Sequence, residues 1–294
     1  MMVQDGPPLP ELPGVRHREV DAGGVRLHLA EAGPADAPAL LLVHGWPQHW
    51  WSWRRVVPRL SQRFRCLMPD LPGHGWSQAP ASGYEKEHLV GDLLALLDRL
   101  EVDRVGYVGH DWGGFCGYLA AMRAPARLTG LLALSVPHLW PSWHDRLNPW
   151  RVSAFAYQLP LSTPVMCTQL LRRGLVRRIL AASAPDGTFE PADLELYDAV
   201  LRSDQGARVT QAMYRTFVTR ELPAIARGRY AHARVNLPVR MVVGERDLLV
   251  RGADLGGYED HAPDMTVERV PDAGHFLPEE RPDLVADRAL ALFG

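Results

Sequence analysis

The chain has 294 residues, of which 47% are hydrophobic and 22% charged, and its formal net charge is −2. Such a composition suits a soluble globular protein, and the near-neutral balance gives no electrostatic case for nucleic acid or an anionic membrane. Three widely spaced cysteines, Cys66, Cys116 and Cys167, offer neither a disulfide framework nor a metal knuckle, no H-E-x-x-H or Cys–His cluster appears, and the glycine pairs at 23–24 and 113–114 make no G-x-G-x-x-G fingerprint, so no metal and no cofactor are expected.

The N-terminal segment "MMVQDGPPLPELPG" is polar and proline-rich, unlike a signal peptide. No apolar run approaches the roughly 20 residues of a membrane span, so a cytoplasmic protein without a membrane partner is expected. Residues 17–33 alternate around Gly23–Gly24 and predict a β-hairpin. "ALLLVHG" (39–45) predicts a buried strand, and 51–62 have helical spacing apart from Pro58. "RCLMPDLPGHG" (65–75) reads as a strand entering a loop, with Asp70 as a structural turn residue. Residues 84–102 predict an amphipathic helix carrying Lys86, the only lysine, which we read as a matter of composition. "RVGYVG" and "LTGLLALSVPH" (128–138) are strands flanking the helix that contains "FCGYLAAMRAP". From 139 to 236 the pattern is helical, with no clear strand. Strands resume at 237–247 and 265–275, and "PEERPDLVADRALALF" predicts a closing helix.

Alternating strands and helices imply an α/β architecture with a mostly parallel sheet and right-handed crossovers. The expected organisation is one core, 1–138 and 237–294, with a helical lid, 139–236, inserted in it.

Four motifs carry the chemistry. "GHDWGG" has the strand–turn–helix spacing of a G-x-S-x-G nucleophile elbow, with Asp111 in place of serine. "HGWP" (44–47) follows the third strand, "GERD" (244–247) ends a late strand, and "DAGHF" (272–276) follows the last. The order nucleophile, acid, histidine (Asp111, Asp247, His275) is that of the α/β-hydrolase fold, and each residue sits just past a strand, where open parallel sheets place their ligands. An aspartate is ionised at neutral pH, and the helix that follows favours the anion. It can displace a leaving group at saturated carbon, giving an alkyl ester. His275, oriented by Asp247, is suited to activate the water that cleaves that ester.

Asp111 within "GHDWGG", preceded by "HGWPQHWWSWR", resembles the epoxide hydrolases of the α/β-hydrolase superfamily, relatives of the haloalkane dehalogenases. The resemblance covers nearly the whole chain and is specific in the core. It implies an oxyanion hole made by the backbone N–H groups of Trp46 and Trp112, and lid tyrosines that hydrogen-bond the epoxide oxygen. "AMYRTF" (212–217) resembles the family's Tyr-Arg stretch, which makes Tyr214 the proton donor. The position of the family's other tyrosine aligns with Ser153, so nearby Tyr157 is the candidate replacement. Small hydrophobic epoxides and water are the implied partners, and a monomer or homodimer the implied assembly. Two alternatives stay open. In a haloalkane dehalogenase, Trp112 would pair with Trp140, Trp143 or Trp150 to hold halide, although Trp46 replaces the asparagine of "HGNP". In a non-catalytic α/β-hydrolase, the pocket would only bind a hydrophobic ligand. His44 and His110 are expected to support the loops.

Overall fold

A computed structural model describes residues 7–140, 156–250, 253 and 255–294. Eight strands form one sheet: β1 (Val15–Asp21), β2 (Arg26–Ala32), β3 (Ala39–Val43), β4 (Arg65–Pro69), β5 (Val105–His110), β6 (Leu128–Leu134), β7 (Val239–Gly244) and β8 (Met265–Val270). Their order is β1-β2-β4-β3-β5-β6-β7-β8. The pairs β1–β2 and β2–β4 are antiparallel, and every later pair is parallel. This is the α/β-hydrolase fold expected from the sequence.

The central strands read as continuous apolar runs because helices cover both faces. Successive side chains of β3 point to opposite sides. Leu41 and Val43 enter one core cluster, with Tyr107, Leu131 and Met241. Leu40 and Leu42 enter the other, with Val108, Leu132 and Val242. The first cluster is covered by α2 (Lys86–Arg99) and α3 (Trp112–Arg123); α2 buries Leu89, Val90, Leu93 and Leu97 in it, one stripe at helical spacing. The second is covered by α1 (Val57–Leu60) and the C-terminal α11 (Pro282–Phe293), with Trp50 and Trp53 beneath them.

Two predicted helices are interrupted at prolines. Residues 51–62 contribute a 3₁₀ turn, Trp50–Trp53, and then α1, with Pro58 in its first turn. The closing segment divides into α10 (Leu277–Glu280) and α11, because Arg281 leaves helical geometry (φ −136°, ψ 54°) ahead of Pro282. Proline lacks the N–H that would continue a helix, and it biases the preceding residue away from the α region.

Between β6 and β7 the described elements are helical: α4 (Gln158–Leu161), α5 (Pro164–Arg172), α6 (Leu175–Ala182), α7 (Pro191–Arg202), α8 (Asp204–Thr216), a π-helical turn (Phe217–Glu221) and α9 (Leu222–Ala226). A capping box of Glu190 and Asp193 starts α7, and the Ser203 hydroxyl accepts from Gly206 N–H at 2.9 Å to start α8. Buried charges fasten this segment to the core. Arg54 binds Glu279 on α10 at 2.7 Å and Asp193 on α7, while Lys86 Nζ on α2 binds Glu221 at 2.9 Å. Breaking such a pair leaves an uncompensated buried charge, which costs roughly 3–5 kcal/mol. Trp143, Trp150 and Ser153 lie outside the described residues. Among those described, no helix is long and apolar enough to cross a membrane.

Candidate active site

Strand β5 runs straight into the elbow. Asp111 caps α3 with φ 52° and ψ −119°, a backbone region that non-glycine residues seldom occupy. The strain is held by its surroundings. Asp111 N–H donates to Leu134 C=O at 3.1 Å, and its own carbonyl accepts from Phe115 N–H at 3.0 Å. Neighbouring glycines allow the tight approach: a Cβ on Gly113 would lie 2.1 Å from Val43 O, and one on Gly45 only 2.3 Å from Asp111 Oδ1.

The carboxylate meets the two predicted backbone donors. Trp46 N–H donates to Oδ1 at 3.0 Å, and the Trp112 N–H also favours the charged form of the group. Burial pushes the Asp111 carboxyl up to about 6, while His275 and the two N–H groups pull the other way. Asp111 is therefore still predominantly ionised at pH 7, though less firmly than an exposed aspartate.

His275, in the turn after β8, connects the other two groups. Its Nδ1–H donates to Asp247 Oδ2 at 2.9 Å, and its Nε2 lies 3.7 Å from Asp111 Oδ2. Asp247 is buried in the turn after β7, where its Oδ1 accepts from Leu249 N–H at 2.9 Å. Burial disfavours the imidazolium, but Asp247 and then Asp111 outweigh it, so the His275 pKa is raised to about 9. In the resting site the histidine is a cation between two carboxylates. His110 Nε2–H donates to the His275 carbonyl at 2.8 Å, and burial lowers its own pKa. His44 accepts from Leu71 N–H at Nε2 (3.0 Å) and donates from Nδ1 to Gly45 C=O (3.0 Å), a neutral tautomer. Both support loops around the site.

Tyr214, fully buried on α8, packs edge-on against Trp46 and Trp112, with ring centroids at 5.4 Å and 5.9 Å. Its ring meets that of Tyr157, which precedes α4, at 6.0 Å and 75°, and each phenol influences the titration of the other. Burial raises both pKa values, and the charge of Asp111 adds to the rise. The chain thus brings two tyrosines together beside the carboxylate, one of them at a position the family alignment does not supply.

A cavity of about 850 Å³ opens onto Trp46, Asp111, Tyr157, Asp247 and His275. Leu161, Leu170, Leu175, Ile179, Leu248 and Leu249 make the rest of its wall mainly apolar, as in sites for hydrophobic small molecules. The tryptophans differ in what their indole N–H groups do. Trp46 donates to Thr210 Oγ1 at 3.2 Å and Trp140 to Tyr230 C=O at 3.0 Å, so neither N–H is free. Trp112 N–H lies towards the Tyr214 hydroxyl without a well-aligned hydrogen bond.

Two contributors escaped the sequence reading. Lys86 is buried beneath Trp112, its Nζ 4.2 Å from the ring centroid, and both its ammonium and its backbone N–H are held by Glu221. A lone lysine among arginines was the only signal, and composition gave it no role. Glu280 reaches back to accept from Gly274 N–H at 2.6 Å and Phe276 N–H at 2.8 Å, on either side of His275. The "PEE" of the closing helix looks like an ordinary exposed acidic turn.

A strained elbow carboxylate, two N–H donors and an Asp–His pair past successive strands define a hydrolase of this fold, and the chain belongs to the α/β-hydrolase family, which matches residues 38–282. It is 28% identical to the "Soluble epoxide hydrolase" of Corynebacterium sp. (strain C12), over 95% of this chain and 97% of that one. It is 30% identical to "Epoxide hydrolase 3" of Siraitia grosvenorii, over 91% and 95%. The crystal structure of epoxide hydrolase VrEH1 from Vigna radiata superposes with a TM-score of 0.82 at 26% identity, covering 96% of this chain and 98% of that one.

Proposed function

We propose that the protein hydrolyses epoxides to vicinal diols through a covalent ester on Asp111, with residues 139–236 as a cap over the site. The observation that carries this reading is the edge-to-face Tyr157–Tyr214 pair beside Asp111. An epoxide oxygen leaves carbon as an alkoxide and needs O–H donors, whereas a halide needs none. The epoxide hydrolases among the relatives support the same substrate class.

Two steps follow. Asp111 Oδ2 attacks an epoxide carbon; that C–O bond breaks as a phenol gives its proton to the oxygen, leaving a hydroxyalkyl ester and a phenolate. Esterification removes the Asp111 charge, one of the causes of the high His275 pKa. The imidazolium can then lose its proton, through solvent or to the phenolate, and become the base. Nε2 takes a proton from water as that water attacks the ester carbon. The N–H groups of Trp46 and Trp112 hold the oxyanion on Oδ1, and Asp247 steadies the imidazolium. Collapse of the intermediate returns Asp111, and His275 protonates the departing diol oxygen. No cofactor takes part.

The experiment is a His275→Gln variant, exposed to a panel of epoxides and bromoalkanes and weighed intact. A hydroxyalkyl increment mapped to Asp111 is the expected result. The unaligned N–H of Trp112, a suitable weak halide donor, favours dehalogenation as a second reading, and a plain alkyl increment would establish it. No increment with either class would point to a binding protein.

A further inference from the structure

We infer that Glu280 is a positioning residue for His275: its carboxylate grips the backbone N–H on both sides of the histidine and fixes the imidazole in line between Asp247 and Asp111. The inference rests on the proposed two-step hydrolysis. Glu280 Oε2 accepts from Gly274 N–H at 2.6 Å and Oε1 from Phe276 N–H at 2.8 Å. The backbone of His275 itself is held at both ends, its N–H on Ser183 C=O (3.3 Å) and its carbonyl by His110 (2.8 Å). Each peptide of the loop therefore has a partner, and one side chain supplies two of them.

The clamp is anchored from behind. Glu279, beside it on α10, is buried and accepts from Arg54 at 2.7 Å and from the Tyr197 hydroxyl at 2.7 Å. Helix α10 is thereby fixed to the helices above the site while Glu280 faces the histidine loop. A Cβ on Gly274 would come within 3.0 Å of Glu280 Oε1 and 2.3 Å of Ser183 O, so the fit depends on that glycine. Glu280 also acts on His275 through its charge. The ionisable groups facing the imidazole are Asp247, Asp111, His110 and Glu280, and Glu280 is among those that favour the imidazolium. Glu280 in turn faces His275 and Asp247, and burial raises its own pKa.

A residue that aligns His275 should govern ester hydrolysis and leave alkylation alone, since Asp111 and the tyrosines perform the first step. When hydrolysis limits turnover, slowing it lowers kcat and KM together, while kcat/KM, which reports steps through alkylation, stays put. The test is Glu280→Gln, assayed with an epoxide turned over by the wild type. Expected are a kcat roughly 10- to 100-fold lower, the loss typical of a slightly misplaced catalytic group, with KM falling in parallel. The Asp111 ester should accumulate in the steady state by intact mass. The acid limb of kcat should move to lower pH, because a charge stabilising the imidazolium is gone. Wild-type kinetics, or equal losses in kcat and kcat/KM, would overturn the inference. Should Glu280→Gln not fold, Glu280→Asp keeps the charge on a stem too short for both amides. It should show the same fall of kcat with KM while the acid limb stays in place; an unchanged kcat would again overturn the inference. Failure of the underlying mechanism is separate, because it shows as no adduct on the His275→Gln variant.

Discussion

Asp70 and Asp111 occupy equivalent places on the two strands that flank β3, and the protein treats them in opposite ways. Each stands one residue past its strand, β4 or β5, Asp70 fully buried and Asp111 mostly so, and each is crowded by a glycine: a Cβ on Gly75 would lie 2.1 Å from Asp70 Oδ2, and one on Gly45 2.3 Å from Asp111 Oδ1. Asp70 is saturated. Its Oδ1 accepts from Trp50 N–H at 2.7 Å, and its Oδ2 from His28 Nδ1–H at 2.8 Å and Trp76 N–H at 3.0 Å. Burial alone would raise its pKa, but the hydrogen-bonded His28 holds it well below the usual carboxylate range. Asp111 has fewer donors, opens onto the cavity, and is pushed up by burial. If Asp111 is the nucleophile proposed above, the number of donors, more than burial, separates an inert carboxylate from a reactive one.

Truncating both residues breaks or upholds that contrast. Asp111→Ala should lower turnover by roughly 10⁴-fold or more, as loss of a nucleophile does. Its thermal midpoint should stay level or rise, since the freed N–H groups reach water in the cavity. Asp70→Ala should do the reverse. It strands three buried donors, which costs roughly 3–5 kcal/mol, while the fraction that remains folded turns over normally. Denaturant midpoints together with activity per folded molecule check both. An Asp70→Ala protein as stable as the wild type would show that donor saturation is not what sets the two residues apart.

The strands and the three residues past them were legible because their signals are local. An apolar run marks a strand buried on both faces, and Asp111, Asp247 and His275 each stand in a short turn beside one. Residues that matter through distant partners were not. Lys86 gains meaning only from Glu221, 135 positions away, and Arg54 only from Asp193 and Glu279. Tyr157 precedes a four-residue helix with no periodicity to show which way it faces, and only the packing of α8 brings Tyr214 to it. Helix boundaries failed at Pro58 and Pro282, where a backbone rule overrides a side-chain period.

The tyrosines extend the contrast to the charge Asp111 must generate. Tyr214→Phe should slow alkylation roughly 10- to 100-fold, Tyr157→Phe by less, and the double variant by more than either. Single-turnover ester formation measures the step directly. Equal single and double effects would mean that the pair acts as one donor. If neither substitution slows epoxide opening, the reading of the pair fails.

The gentlest perturbation is pH. Asp111 must be ionised to attack, so kcat/KM should fall below pH 6, approaching tenfold per unit, because its carboxyl titrates near 6. The effect on stability has the opposite sign at the two aspartates. A folded-state pKa raised above the unfolded value means that the native state binds the proton more tightly, so Asp111 costs stability in full above its own pKa, and the cost fades as pH falls towards the unfolded value. A depressed pKa means that Asp70 contributes stability from the unfolded carboxylate range upward, lost only as pH falls through its own low pKa. Between pH 6 and roughly pH 4, the unfolded-state value, activity should therefore disappear while circular dichroism stays native, and return on neutralisation. Inactivation that tracks unfolding across that window would mean that the carboxylates holding the turns titrate along with the one that reacts, and the division of labour between Asp70 and Asp111 would fall.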